Sequence, residues 1–375
     1  MSSVARQFKD KRLGEIAGRV DGGGRLGTRE ALALFETDDL PGLGRLADQA
    51  NRARNGDRVY YINNVHLNYT NICVNSCRFC AYNRKNALEP GAFFLSVEQV
   101  LAKARAGWRE GVREFHIVGG CHPDAPLEYY EEMLSALAGE YPGVHLQAFT
   151  AVEVEHLAAK AGLTVAETLT RLKACGLGSL PGGGGEIFNP AVRNKICPKK
   201  ISGERFLEVM RTAHSLGIPT NVTMLFGHVE SRADRVDHLL GVRALQDETG
   251  GFNSFIPLLF HPENTEFGHI SKTGGLEALK TFAVSRLVLD NFDHIKAFWI
   301  MLGLPLTQMA LFFGADDVNG TVHEEKITHE AGAGTPQYLP AGKLVRLIRE
   351  AGRTPVERDT LYRPVSVDGR RRETR

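Results

Sequence analysis

The stretch NICVNSCRFCAYNR, Asn71 to Arg84, holds Cys73, Cys77 and Cys80, half of the chain's six cysteines. Thiolates are soft ligands that suit zinc and iron–sulfur clusters. A disulfide takes two of them and a structural zinc site four. An iron–sulfur cube normally takes four cysteines, so three on one short loop leave one iron without a protein ligand. That iron is open to a second molecule, as catalytic zinc keeps an open position. The alternative is a zinc site completed by a remote His or Cys. Cys121, Cys175 and Cys197 stand alone and are expected to pack or line a pocket rather than hold an auxiliary cluster. HPENTEFGH and HEEKITHE lack the His-Glu-x-x-His pattern, and no second metal is expected.

The elements that must position this loop follow a βα rhythm. With 375 residues, 43% hydrophobic and 24% charged, the composition is that of a globular protein. A formal net charge of +1 argues against nucleic acid as a partner. No run of about 18 apolar residues appears, so no membrane span is expected. The charged start MSSVARQFKDKRLGEIAGRV has no secretory pattern, and a cytoplasmic location is expected. Residues 1–58 read as an N-terminal helical extension, with Thr28 as a cap and a break at Pro41. Residues 59–375 read as one barrel domain with a C-terminal helix and a frayed basic tail, VDGRRRETR. Strand-like runs are VYYINNVHLNYT, REFHIVGG, VHLQAFT, LGSLPG, PTNVTMLFG, FNSFIPLLF, HIKAFWIML and QMALFFGADD, with amphipathic helices between them. Such alternation implies a parallel sheet, and eight repeats imply a (β/α)8 TIM-type barrel. An open doubly wound sheet is the alternative.

In a barrel the chemistry collects at the C-terminal ends of the strands. The thiol loop follows the first strand, GGCHPD the second, FTAVE the third, PGGGGEIFNP the fourth, FGHVES the fifth, FHPENT the sixth and GADDVNG the eighth. Period-two alternation puts Asn64, His66, Asn68 and Thr70 on one face of the first strand, with Val65, Leu67 and Tyr69 on the other. The apolar set should face the helices, so the polar set should face a wet lumen or form a layer of satisfied core groups.

The C-x3-C-x2-C triplet after the first strand, with Phe79 before the last cysteine, resembles the radical S-adenosylmethionine (SAM) superfamily. The resemblance implies a [4Fe–4S] cluster on Cys73, Cys77 and Cys80, with SAM on the open iron and a 5′-deoxyadenosyl radical as the reactive species. It also implies an external electron donor of the flavodoxin or ferredoxin type. VGGCHPD, AFTAVE, LGSLPGGGGEIF, ICPKK, RTAHSLGIPTNVTMLFGHVE, LQDETGGFNSFIPLLFHPENT and HEEKITHEAGA are similar to the group of menaquinone and deazaflavin enzymes. Within that group the match implies a small-molecule substrate, 3-[(1-carboxyvinyl)oxy]benzoate, to whose enol-ether double bond the radical adds. Siblings abstract hydrogen instead and release 5′-deoxyadenosine. Outside the class, an iron–sulfur sensor is the alternative.

The same resemblance suggests roles. Phe79, Gly119, Gly120, Thr150, Glu153, Gly183 and Gly184 are candidates to bind SAM, the glycines because backbone must come close to a ligand. Glu153 and Glu186 could meet ribose hydroxyls or accept a proton, or simply cap a helix N-terminus. The run Gly182 to Gly185 lacks a phosphate-loop ending. Two substrate carboxylates call for cations and hydrogen-bond donors. Asn64, His66, Asn68, His261 and Arg286 are the candidates to bind them, with His66 and His228 as further catalytic candidates.

Overall fold

The computed structural model describes residues 8–368 and the backbone of Arg370 and Arg371. Three helices come first: Lys11–Asp21, Thr28–Glu36 and Leu40–Asn55. Thr28 is not the cap; Gly27 is, and the Glu30 carboxylate turns back to accept the Gly27 N–H at 3.0 Å. Pro41 does not break a helix but opens one, in a first turn where a missing N–H costs nothing. Of the three, the second and third pack beside the barrel on its outer helices Arg232–Thr249 and Gly275–Val288, and the first packs on the second and third. The last of them ends at the N-terminal edge of the strands, where Asn55 Nδ2 donates to the Asp293 carbonyl at 3.0 Å. Covered on both sides, helix Gly275–Val288 buries Ala278, Leu279 and every residue from Thr281 to Val288, so its buried residues are not confined to one face.

The strands are β1 (Arg58–Ile62), β2 (Asn64–Leu67), β3 (Glu114–Ile117), β4 (His145–Ala148), β5 (Leu177–Ser179), β6 (Thr220–Phe226), β7 (Phe252–Leu259), β8 (His294–Ile295), β9 (Asp317–Gly320), β10 (Thr354–Arg358), β11 (Pro364–Val367) and β12 (Arg370–Arg371). β2 to β5 pair in parallel, as do β6 to β8, and β9 pairs with β1. Single parallel bridges, Leu180↔Thr220 and Lys296↔Asp317, join these sets. β1 and β2 are one strand interrupted at Asn63. The pairings therefore run once round a ring, as in a TIM-type barrel.

Two strand readings shift. HIKAFWIML is a strand only at its first two residues and then the helix Trp299–Leu302. QMALFFGADD is the end of helix Leu304–Ala310 and a turn; the strand Asp317–Gly320 begins only at its last residue. Short apolar runs do not distinguish a buried helix end from a buried strand. The basic tail also begins as structure. β10 joins β1 in parallel, β11 folds back antiparallel on β10, and β12 folds back antiparallel on β11. Residues 372–375 lie outside the described residues.

The expected alternation on β2 holds where it matters most. A Cβ on Gly107 of the neighbouring helix would touch Val65, so Val65 faces outward. His66 faces the lumen and opens a polar layer in register from strand to strand: His66↔His116↔Gln147↔Ser179, then Asn221↔Ser254↔His294. Ser254 Oγ donates to Asn221 Oδ1 at 2.9 Å, and Gln147 Nε2 donates to Ser179 Oγ at 3.2 Å.

Candidate active site

Above this layer lies a cavity of about 320 Å³, at the C-terminal ends of the strands. Cys73, Cys77, Phe79 and Cys80 line it on one side. The thiol loop is held by its own ends. The Cys73 N–H donates to the Arg84 carbonyl at 2.9 Å, and the Arg84 N–H to the Asn71 carbonyl at 2.8 Å. The Arg84 guanidinium then donates to the carbonyls of Ala81, Tyr82, Asn83 and Pro90. Ser76 turns the chain between the first two cysteines at a φ of 46°, a region that non-glycine residues enter at a cost. Arg78 anchors the outer side through Glu266 at 2.7 Å.

The glycines act first on this loop. A Cβ on Gly119 would stand 2.7 Å from the Tyr69 ring, and one on Gly120 would collide with the Ile72 carbonyl. Gly119–Gly120 thus lets the start of the thiol loop lie against the end of β3. The second glycine run does likewise: a Cβ on Gly183 would meet Thr150 at 2.9 Å and one on Gly184 would meet Val152 at 2.5 Å. All four glycines also line the cavity.

Glu153 lines the cavity, yet it is a clamp. Its Oε1 accepts the Tyr69 hydroxyl at 2.6 Å and the Gly119 N–H at 3.0 Å. Its Oε2 accepts the Thr150 N–H and hydroxyl, both at 2.7 Å, closing a capping box at the start of helix Ala151–Ala161. Burial raises its pKa against these bonds. Glu186, at a φ of 45°, is buried and pairs with the mostly covered Lys200 at 2.7 Å. Burial alone would raise the Glu186 pKa, but the Lys200 charge outweighs it and the carboxylate stays below its usual range. The Lys200 ammonium also sits 5.2 Å over the Phe79 ring.

Four expected site residues, the binding candidates Asn64, Asn68 and Arg286 and the catalytic candidate His228, lie outside the cavity lining. Asn64 joins β2 to its neighbours, donating to Glu114 at 3.1 Å and accepting the Val322 N–H at 3.0 Å. Asn68 donates to the Val118 carbonyl at 3.0 Å. His228 is enclosed by its own turn: Nδ1 accepts the Val229 N–H and Nε2 donates to the Leu225 carbonyl. Arg286 is fully buried near the N-terminal ends of β8 and β9, paired with Asp316 at 2.7 Å and donating to the carbonyls of Gly314, Phe292 and Asp293. Its role is to hold the barrel together at the edge opposite the site. His66 and His261 do line the cavity. His261 is neutral and fixed, with Nε2 donating to the Met301 carbonyl and Nδ1 accepting from Lys272. His66 stacks on His116 at 4.4 Å, and burial keeps its imidazole neutral.

Sequence reasoning did not assign roles to Lys200 or Lys296, both of which line the cavity. Lys200 stood inside the quoted ICPKK motif. Lys296 stood in the apolar run HIKAFW, where a lone charge is itself a signal.

The three thiols line one cavity from one loop, and that donor set fits a cluster with three protein ligands. Among the described residues, no three His, Cys, Asp or Glu side chains are gathered as they would be around a metal ion. Each thiol is instead placed by local forces. A hydrogen bond from Cys121 pulls the Cys73 thiol down to about 5, while burial pushes Cys77 up to about 12 and raises Cys80. No helix among the described residues is long and apolar enough to cross a membrane.

A parallel barrel with a C-x3-C-x2-C loop at its catalytic edge defines a class, and the chain belongs to the radical SAM superfamily. The Radical SAM superfamily model matches residues 67–240, and the CofH/MqnC C-terminal region model matches residues 249–369. The chain is 46% identical to aminodeoxyfutalosine synthase of Thermus thermophilus, over 96% of this chain and 98% of that one. It is 43% identical to the Streptomyces coelicolor enzyme of the same name, over 93% and 92%. It is 41% identical to the 5-amino-6-(D-ribitylamino)uracil–L-tyrosine 4-hydroxyphenyl transferase of Methanothermobacter thermautotrophicus, over 90% and 93%. Among solved structures, the hydrogenase maturase HydG of Carboxydothermus hydrogenoformans superposes with a TM-score of 0.73 at 20% identity, covering 94% of this chain and 81% of that one. Methylornithine synthase superposes with a TM-score of 0.73 at 19% identity, covering 91% and 97%. These last two establish the fold alone.

Proposed function

We propose that this chain catalyses the aminodeoxyfutalosine synthase reaction. It joins the adenosyl group of SAM to 3-[(1-carboxyvinyl)oxy]benzoate, with loss of the alkene-side carboxylate, to give 6-amino-6-deoxyfutalosine and methionine. The observation that carries this reading is the 46% identity across 96% of the chain. The site supports it. When bound, the cluster and SAM supply a 5′-deoxyadenosyl radical. Cys73, Cys77 and Cys80 would hold the cluster. Gly119, Gly120, Gly183 and Gly184, with Thr150 and Glu153, line the same cavity as the thiols and would bind SAM. The barrel keeps bulk water from the reacting carbon and fixes the partners in reach of one another. An external one-electron donor of the flavodoxin or ferredoxin type and a cytoplasmic location belong to the same proposal.

The test offers anaerobically reconstituted protein, dithionite and SAM either the enol-ether benzoate or tyrosine with 5-amino-6-(D-ribitylamino)uracil. Mass spectrometry should find an adenosylated, decarboxylated adduct in the first mixture. A coupled product in the second mixture alone would assign the chain to the transferase reaction of its 41%-identical relative.

A further inference from the structure

The floor of the cavity holds a cation with no anion beside it. Lys296 follows β8, is only 6% exposed and lines the cavity. No carboxylate of a described residue comes within 4.0 Å of its Nζ. The carboxylates nearest in charge are engaged elsewhere. Asp317 pairs with Arg358 at 2.6 Å, Asp316 with Arg286 at 2.7 Å and His294 at 2.5 Å, and Glu114 accepts from Asn64 at 3.1 Å. Burial, helped by the like charge of Arg358, brings the Lys296 pKa down to about 8. A buried ammonium without a partner is costly for any fold.

Its position within the cavity gives the cost a purpose. The Lys296 charge acts on the stacked imidazoles of His66 and His116. The charge acting on Cys73, Cys77 and Cys80 is that of Lys200. The cavity thus has one cation beside the thiol loop and another at the polar floor. Ile256, Leu258, Phe298 and Met301 supply apolar lining to the same cavity. A flat aromatic anion matches a cavity with these two ends.

We propose that Lys296, with His66 and His116, forms an anion subsite that receives the ring carboxylate of the benzoate substrate. This rests on the reaction proposed above and deepens it. The alkene end must meet the radical near the thiol loop, and its carboxylate is lost there. The ring carboxylate survives into the product and needs a holder that keeps it away from the reacting carbon. A charge-assisted hydrogen bond from Lys296 does this, and an imidazole N–H can share the second oxygen.

The test is equilibrium binding by calorimetry to the reconstituted protein with SAM and no reductant. Two ligands are compared: the enol-ether benzoate and 2-phenoxyacrylate, which keeps the alkene and its carboxylate but lacks the ring carboxylate. The wild type should favour the benzoate by at least about tenfold, and Lys296→Met should bind the two alike. Circular dichroism checks that the variant is folded; if it is not, Lys296→Gln replaces it with the same expectation. A folded variant that keeps the wild-type preference overturns the subsite and leaves the reaction standing. A wild type that binds neither ligand overturns both.

Discussion

Tyr69 donates its hydroxyl to Glu153 Oε1 at 2.6 Å, tying the end of β2 to the helix that follows β4. The same carboxylate takes the Gly119 N–H from the end of β3 and both donors of Thr150. Three successive strand ends therefore meet at one buried carboxylate beneath the thiol loop. Four donors offset part of the cost of burying that charge.

Removing one donor should be felt as lost stability. Tyr69→Phe is expected to cost about 1.5–3 kcal/mol, the range for a hydrogen bond to a charged group. Glu153→Ala should cost more, because it strands the Gly119, Thr150 and Tyr69 donors together. Urea denaturation of the purified variants checks this. A Tyr69→Phe variant as stable as wild type would show that the clamp contributes nothing.

Gly120→Ala should separate folding from iron uptake. The added methyl would strike the Ile72 carbonyl and stand 2.9 Å from Cys73 Cβ. The barrel has a core large enough to fold regardless, so secondary structure should persist. Iron and sulfide retained after anaerobic reconstitution should fall by more than half. Full occupancy in the variant would contradict the close-approach role.

Lys200 and Glu186 should be strongly coupled. Lys200→Met leaves a buried carboxylate without its partner, at a cost of about 3–5 kcal/mol. Lys200→Met combined with Glu186→Gln should cost less than the two single changes added together. Chemical denaturation of the four proteins measures the coupling energy. Additive costs would mean that the 2.7 Å pair carries no net interaction.

Lys296 should cost the fold stability at neutral pH. Its folded pKa of about 8 lies below its unfolded value near 10.5. From pH 8 to 10.5 the unfolded chain binds more protons, so stability rises with pH across that window. Below pH 8 the buried charge costs about 3 kcal/mol. Lys296→Met should therefore be more stable than wild type at pH 7, and the gap should narrow as pH approaches 10. A variant less stable at pH 7 would show that the ammonium is compensated within the protein.

The contrast between His66 and Arg286 marks how far the sequence could be read. His66 was legible because strand alternation is local: each residue's face follows from its neighbour's. The βα rhythm and the thiol spacing were legible for the same reason. Arg286 was not, since its partners Gly314 and Asp316 reach it only once the ring has closed. Lys296 was hidden in the same way. Nothing in HIKAFW says that its carboxylate neighbours are already taken by Arg358, Arg286, His294 and Asn64. The glycines of Gly119–Gly120 were correctly placed at the rim, but what crowds them is the protein itself, the Tyr69 ring and the chain from Thr70 to Cys73. Strand eight was misplaced because ALFFG fits a buried helix end as well as a strand.

The most direct test follows the adenosyl group itself. SAM carrying ¹³C throughout its ribose is given to the reduced, reconstituted protein with the enol-ether benzoate, and the label is traced by mass spectrometry. The account expects the labelled ribose in the decarboxylated adduct, one per methionine released. Label found only in 5′-deoxyadenosine, with the benzoate unconsumed, would contradict it.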